Sequence, residues 1–206
     1  MRAIRLSAAF SISFCLACAP AGPTTRIDLV TTHPSAAPIA PNATCDVTTS
    51  TEPAGSRSHH PSCSAIDYPF VPPASGDHYN VWADYLTYAA PVPWGFLVHS
   101  MEHGGVVLAY DPASTAAPQI RAAFASIITA HGLDPICRDQ TWRSRIIVVP
   151  AHDLITPIAA LAWEHTYEAT CIDMPSLSAF VERNYARAPE DLCAPGVDSS
   201  VMGWCP

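Results

Sequence analysis

The chain has few charged residues, and basic residues are scarcer than acidic ones. Charged residues make up 14% of the 206 positions, with 10 Lys plus Arg against 18 Asp plus Glu and a net charge of -8. The basic residues are scattered, so the chain lacks the positive surface that nucleic-acid binding requires, and we expect no nucleic-acid partner. Hydrophobic residues reach 49% and prolines number 21. This composition is typical of a compact, loop-rich domain.

Several motifs of common enzymes are also missing. The sequence contains no GxSxG nucleophile elbow and no glycine-rich phosphate loop, which argues against the usual serine hydrolases and kinases. None of the cysteines that follow residue 18 belongs to a CxxC pair of the redox or zinc-binding type. Its apolar run at residues 6–16 is too short to span a bilayer.

The first 18 residues have the pattern of a secretory signal, because arginines precede the apolar run at residues 6–16. Two cleavage sites compete. Residues 16–18, Leu-Ala-Cys, resemble a bacterial lipobox that would lipidate Cys18, although Cys15 stands where an aliphatic residue is usual. The rival is a small-x-small site at residues 19–21. We favour the lipoprotein, held at a membrane by its lipid anchor and facing the periplasm or the exterior of the cell.

The next segment, residues 19–44, is dominated by Ala, Pro and Thr without hydrophobic periodicity. This composition predicts an extended tether. The rest of the chain, residues 45–206, is about 160 residues long, which is the size of one globular domain. We therefore expect a signal segment, a linker and a single domain.

Apolar periodicity in that domain predicts an α+β fold with a small mixed sheet. Strands are expected at residues 106–110, 146–149 and 159–168, and helices at residues 118–132 and 177–184. A strand-helix-strand crossover makes the first two strands parallel, and a hairpin would pair the second and third strands in antiparallel fashion. Both helices are expected on one side of the sheet.

Residues 45–94 are predicted to be rich in loops. They include a turn at residues 72–79 that is followed closely by Trp82, Tyr85 and Tyr88. Aromatic side chains at this density usually anchor a loop to its domain, and less often form a binding surface. We expect these side chains to pack inward.

Six cysteines remain after the signal segment, an even number that favours disulfides in an exported chain. They are Cys45, Cys63, Cys137, Cys171, Cys193 and Cys205. If residues 146–149 and 159–168 form a hairpin, Cys137 and Cys171 meet at the same end of it. This predicts the bridge Cys137–Cys171. The pairs Cys45–Cys63 and Cys193–Cys205 follow only as the remaining local pairs.

The motif HSMEHG at residues 99–104 is the most informative feature of the chain. On a helix, His99, Glu102 and His103 would emerge on one face, because residues three and four positions apart are neighbours. Two imidazoles at this spacing are typical metal ligands. We expect a short helix that Gly104 ends.

Two stretches carry a family resemblance. Residues 72–79 read PPASGDHY and residues 99–107 read HSMEHGGVV. With Trp82, Tyr85 and the Val-Pro pair at residues 92–93, they resemble the bacterial family named domain of unknown function 3105 (DUF3105), over about residues 72–187. The resemblance implies an exported or membrane-tethered protein with a histidine and glutamate hallmark, and it implies no activity.

We predict a transition-metal site whose ligands are His99, His103 and His78, with Glu102 as a further ligand, a general base or a residue that orients a ligand. His78 is the leading third ligand because its turn belongs to the family signature, and His165 is second. Imidazole ligands suit zinc, copper or nickel, and zinc or copper are expected. The remaining histidines, at positions 59, 60, 131 and 152, are predicted to be structural.

Two other interpretations of the motif stay open. The histidines could be structural, capping backbone carbonyls at the end of the helix in an envelope binding or scaffolding module whose protein partner is unknown. The motif also matches the HxxEH pattern of zinc peptidases, with Glu102 as the base and Glu164 or Glu168 as a distal ligand. A glycine pair directly after the motif disfavours the peptidase, whose helix must continue.

Overall fold

The computed structural model describes residues 25–137, 144–198 and 205. Within them, the chain forms a six-stranded mixed sheet of order β1-β2-β8-β7-β5-β6 and a two-stranded sheet of β3 and β4. The strands are β1 Ile27–Thr32, β2 Val47–Thr51, β3 His59–His60, β4 His78–Tyr79, β5 Val106–Tyr110, β6 Ile146–Pro150, β7 Ile158–Ala162 and β8 His165–Ala169. The helices are α1 Trp94–Glu102, α2 Ala117–His131 and α3 Met174–Asn184, with a short 3-10 helix at Pro135–Cys137. The predicted α+β fold with a mixed sheet is confirmed.

Strand β5 lies inside the large sheet, where it pairs in parallel with β6 and in antiparallel fashion with β7. Val106 is aligned with Ile146, and Tyr110 with Ile158. All five β5 side chains are buried, because helices and loops cover both faces of the sheet at this strand. The predicted parallel pairing of the first two core strands is confirmed.

The predicted hairpin between residues 146–149 and 159–168 is wrong, because β5 separates β6 from β7. Residues 159–168 are also not a single strand. The chain reverses at Trp163 and Glu164, where Glu164 has a positive φ of 63°, and β7 and β8 form the hairpin instead. The alternation that predicted one strand face therefore belongs to two antiparallel strands.

Helices α2 and α3 cover one face of the sheet, and α1 lies on the other. Phe124 of α2 and Phe180 of α3 share a buried cluster with Leu108. On the opposite face, Phe96 of α1 belongs to a second cluster with Val107. The positions of α2 and α3 along the chain agree with the sequence pattern, and α1 brings the histidine motif against the loop-rich segment.

The predicted tether at residues 19–44 is folded onto the sheet from Ile27 onward. Strand β1 pairs with β2 at the sheet edge, and the buried Ile39 donates its N–H to the carbonyl of Thr170 at 2.8 Å. Residues 27–32 are mostly β-branched, which suits an edge strand despite the surrounding prolines. The ordered domain therefore begins well before Cys45.

The six cysteines form three disulfides, as their even number predicted, but the predicted pairs are wrong. The bonds are Cys45–Cys171, Cys63–Cys205 and Cys137–Cys193. The physical reason is the pairing of β2 with β8. Val47 lies opposite Ala169 in that antiparallel ladder, so Cys45 and Cys171 meet just beyond it, with Cα atoms 5.1 Å apart. Cys137 follows α2 and is joined to Cys193 in the C-terminal segment.

Disulfides are consistent with an extracellular or cell-envelope location. The longest helix in the described parts of the chain has 15 residues, and no helix there combines the length and hydrophobicity of a membrane span. The signal segment at residues 1–18 and the lipidation site Cys18 lie outside the described residues and stay predictions.

We predict that the double variant C45A/C171A lowers the free energy of unfolding by about 2 to 5 kcal/mol. The bond joins residues 126 positions apart, so its loss frees a long loop in the unfolded chain. Urea unfolding of the oxidised proteins measures the difference, and an unchanged unfolding midpoint would contradict the prediction.

Candidate metal centre

Helix α1 presents His99 and Glu102 to the same side, since the two residues are three positions apart. The helix ends at Glu102, and Gly105 then brings the backbone tightly around the helix end. A Cβ atom at Gly105 would lie 2.7 Å from the carbonyl oxygen of Ser100, which explains why this turn needs glycine. The predicted short helix ending at a glycine turn is confirmed.

The two-stranded sheet supplies the other side of the site. Strands β3 and β4 run parallel and place His59 directly opposite His78. Helix α1 lies close against β4. A Cβ atom at Gly95 of the helix would lie only 2.7 Å from the Tyr79 ring, so this close approach requires glycine. Three separate chain segments therefore converge at one point.

Four side chains meet there: His59, His78, His99 and Glu102. One donor atom from each lies within 4.8 Å of those of the other three. His78, His99 and Glu102 are at most 4% exposed, whereas His59 is exposed. This group could hold a metal ion, with three members in the interior and one facing solvent.

Hydrogen bonds fix the tautomers of the two buried histidines. Nδ1 of His78 lies 2.9 Å from the carbonyl oxygen of Gly76, and Nδ1 of His99 lies 2.6 Å from that of Tyr79. A carbonyl oxygen only accepts, so each Nδ1 carries a hydrogen and donates it. In the neutral rings, Nε2 of both residues therefore has a free lone pair.

The Nε2 lone pair of His78 faces a carboxylate oxygen and a third imidazole. It lies 3.0 Å from Oε2 of Glu102 and 3.3 Å from Nε2 of His59. Whichever tautomer His59 adopts, the lone pair of His78 and the carboxylate oxygen repel each other unless a proton or another cation lies between them. The arrangement thus needs a positive charge at its centre.

Burial works against a proton as that charge. Loss of solvation lowers the pKa of His78, against the opposing effects of the Gly76 carbonyl and of Glu102. The pKa of His99 falls from 6.5 to about 3, first because of burial and then because of the neighbouring His103 and His78. Neutral imidazoles beside a carboxylate are the donors that a transition metal ion prefers.

The structure does not bring the predicted ligand His103 into this group. His103 is the residue after α1, and its Nε2 lies 3.1 Å from a carboxylate oxygen of the half-exposed Glu190. Its ring nevertheless packs against that of His99, with centroids 4.6 Å apart, and its buried Nδ1 has no hydrogen-bond partner among the described residues. The pair with Glu190 fits the structural interpretation of the motif, whereas the unpaired Nδ1 does not.

The predicted extra ligand His165 is also absent from the group. It begins β8 directly after the reversal at Glu164 and lines a shallow surface cleft with Arg187. The peptidase arrangement is not assembled either, because it requires both His99 and His103 on one ion. Its proposed distal ligand Glu168 instead pairs with Arg26 at 3.3 Å.

Sequence reasoning missed His59, which it assigned to a structural role in a polar loop. The residue enters the site only because β3 pairs with β4, a contact between residues 19 positions apart. The one available signal was the adjacent pair His59-His60 in a chain rich in histidine. The other three histidines predicted to be structural lie outside the group. His60 pairs with Asp77 at 2.9 Å, His131 contacts the Tyr185 ring, and His152 is exposed.

Aromatic side chains enclose the buried part of the centre. The Trp82 ring lies 5.1 Å from that of His99, and Trp163 meets His78 edge-on at 6.2 Å. Tyr85 and Tyr88 are 3% exposed, so the aromatic segment packs inward as predicted. The Trp82 and Trp163 rings reduce solvent contact with the imidazoles.

Comparison with known proteins gives one finding. The family described as "Protein of unknown function (DUF3105)" matches residues 59–195, which is more than half of the chain and begins at His59. All four clustered side chains lie inside the match. No curated protein and no solved structure matches the chain.

We predict that acid destabilises the metal-free protein partly through His99. The unfolded chain binds a proton at this residue near pH 6.5, and the folded chain binds it only near pH 3. The free energy of unfolding therefore falls as the pH is lowered through this interval. Urea titrations with a chelator measure the slope.

The variant to compare with the unchanged protein is H99N. Its amide nitrogen can replace Nδ1 as the donor to the Tyr79 carbonyl but does not titrate. Its unfolding free energy should depend less steeply on pH between about pH 4 and 6.5. Equal slopes for the two proteins would contradict the assignment.

Proposed function

The chain belongs to the DUF3105 family, and we propose that it binds one divalent transition metal ion through His59, His78, His99 and Glu102. The observation that carries this proposal is the pair of buried imidazoles. Each donates Nδ1–H to a backbone carbonyl and keeps its Nε2 lone pair free. The His78 lone pair faces the Glu102 carboxylate. Hydrogen bonds like those from Nδ1 to a backbone carbonyl orient metal-binding histidines in many proteins.

The donor distances support zinc or copper as the ion. Four donors placed tetrahedrally at about 2.05 Å from zinc are separated by about 3.3 Å. The two contacts of His78 Nε2, at 3.0 Å to Glu102 and 3.3 Å to His59, are near this value. The other donor separations are at most 4.8 Å, and metal binding would draw those donors inward. Three imidazoles and a carboxylate also suit copper.

Bound zinc or copper would act as a Lewis acid on a fifth ligand that joins the four protein donors. The chain itself supplies the rest of the site. The Gly76 and Tyr79 carbonyls hold the rings, and Trp82 and Trp163 limit the access of water.

A second candidate function rests on the same hydrogen bonds. The bonds from His78 to Gly76 and from His99 to Tyr79 would hold α1 against β4 even without an ion. In that case the cluster is a structural lock in an envelope binding or scaffolding module. Variants that keep the Nδ1 bonds and remove Nε2 separate the two functions.

We therefore predict that H78N and H99N each lose metal binding but keep the folding stability of the metal-free protein. Asparagine can keep the hydrogen bond to the carbonyl but offers no ligand at the Nε2 position. Protein purified without a histidine tag should retain near-stoichiometric metal, and each variant should bind at least about 100-fold more weakly, since ligand loss exceeds the cost of an outer-sphere change. Elemental analysis and metal titration measure both quantities.

The control is H152N, which changes an exposed histidine outside the group. It should retain metal like the unchanged protein. Metal-free H78N and H99N should unfold at nearly the same temperature as the metal-free parent. Unchanged metal binding in both variants would sink the metal site, and absence of metal binding by the parent would leave the structural lock.

We also propose that the protein works in the cell envelope, exported and anchored to a membrane by a lipid on Cys18. The three disulfides support export, because such bonds persist in oxidising compartments. The lipobox-like residues 16–18 support the anchor.

The expected result for C18A is release of the chain from the membrane fraction, because no lipid can then attach. Cell fractionation and labelling with a radioactive fatty acid measure the effect. C15A is the matched control and should stay in the membrane fraction. If C18A remains membrane-bound and labelled, the anchor is not at this cysteine.

A further inference from the structure

Arg57 is a cation at the edge of the candidate metal centre. Its Nη1 atom lies 3.7 Å from Oε1 of Glu102, which is an ion-pair distance but too long for a hydrogen bond. The Arg57 side chain is 54% exposed, whereas Glu102 is buried. The guanidinium is therefore near the centre without being locked to it.

Two other arginines near carboxylates have different surroundings. Arg145 is fully buried and donates to Asp134 at 2.9 Å, and Arg26 bridges Glu52 and Glu168 at 3.3 Å each. Both belong to the framework of the domain. Of these three arginines, Arg57 is the one with a solvent-exposed guanidinium beside the histidine cluster.

The burial pattern shows where an outside ligand would enter. His78, His99 and Glu102 are covered, and Trp82 and Trp163 lie against the buried rings. The exposed member is His59, and Arg57 precedes it by two residues. A small molecule would therefore reach the ion past these two side chains.

Charge selects the class of that molecule. With a divalent ion bound by three neutral imidazoles and one carboxylate, the centre stays positive, and Arg57 adds a further positive charge beside the entrance. A planar guanidinium with several N–H donors suits the oxygens of a carboxylate or phosphate group. An anion is attracted both by the ion and by this side chain.

We infer that the metal centre binds a small oxyanion of the carboxylate or phosphate class, with one oxygen on the ion and another accepting hydrogen bonds from Arg57. This inference rests on the proposed metal site. Zinc coordination expands from four to five ligands in some catalytic sites, and the same expansion on the side of the exposed His59 would admit the oxygen. Arg57 is thus a specificity-determining residue that selects the ligand and is not itself a metal ligand.

The test uses the full disulfide-bonded chain loaded with cobalt(II), whose visible absorption reports changes in coordination. Acetate and inorganic phosphate are titrated separately at constant ionic strength, so that the two arms show which oxyanion is preferred. R57Q removes the charge and R57K keeps it without the planar group. R121Q is the matched control. Arg121 is exposed on α2, and its replacement changes the net charge by the same amount.

We predict that at least one oxyanion perturbs the spectrum of the unchanged protein and of R121Q. In R57Q its affinity should fall at least about tenfold, the usual effect of losing a hydrogen bond between charged groups, with an intermediate loss in R57K. Cobalt affinity should not fall in R57Q, because Arg57 is not a ligand.

The two levels of the proposal fail in different ways. If cobalt binds but neither oxyanion changes the spectrum, or if R57Q binds the oxyanion as tightly as the parent, this inference is wrong and the metal site stands. If the unchanged protein does not bind cobalt, the metal site and this inference are both wrong.

Discussion

The site depends on two hydrogen bonds from buried histidines to backbone carbonyls. By donating Nδ1–H to Gly76 and Tyr79, His78 and His99 keep their Nε2 lone pairs free beside a buried carboxylate. A core histidine with a purely structural role needs partners for both of its ring nitrogens. Here the second nitrogen of His78 faces the carboxylate of Glu102, and burial lowers the pKa of this imidazole, so the interior contains a place for a cation other than a proton.

The fold makes this arrangement by joining three distant segments. β5 is buried on both faces and fixes the end of α1 through the tight glycine turn, while β3 and β4 lay His59 and His78 across the helix. Disulfides tie the loop-rich segment and the C-terminal segment to this frame, through Cys63–Cys205 and Cys137–Cys193. The site therefore belongs to the covalently braced, loop-covered face of the sheet. The opposite face, covered by α2 and α3, is an apolar core that contains the third disulfide, Cys45–Cys171.

Local patterns predicted the local parts of this structure and failed at the long-range ones. The spacing of His99 and Glu102, the glycine that ends α1 and the stripe of α2 are set by neighbouring residues, so the sequence alone predicts them. The hairpin and the disulfides depended on which strands become neighbours, and the insertion of β5 between β6 and β7 changed both. His59 was missed for the same reason, since only the register of β3 against β4 brings it to His78. His103 lies one residue beyond the last turn of α1, where its Nε2 faces Glu190, so helical spacing alone did not show that it stands apart from the group of four.

Anomalous X-ray scattering from crystals grown with zinc tests the central claim most directly. Data collected on both sides of the zinc absorption edge locate the ion without assumptions about its ligands. The account predicts one strong peak within about 2.0 to 2.2 Å of Nε2 of His78, Nε2 of His99 and an oxygen of Glu102, with His59 completing the set. A crystal in which zinc is bound only elsewhere, with Nε2 of His78 and His99 hydrogen-bonded to protein or water, would contradict it.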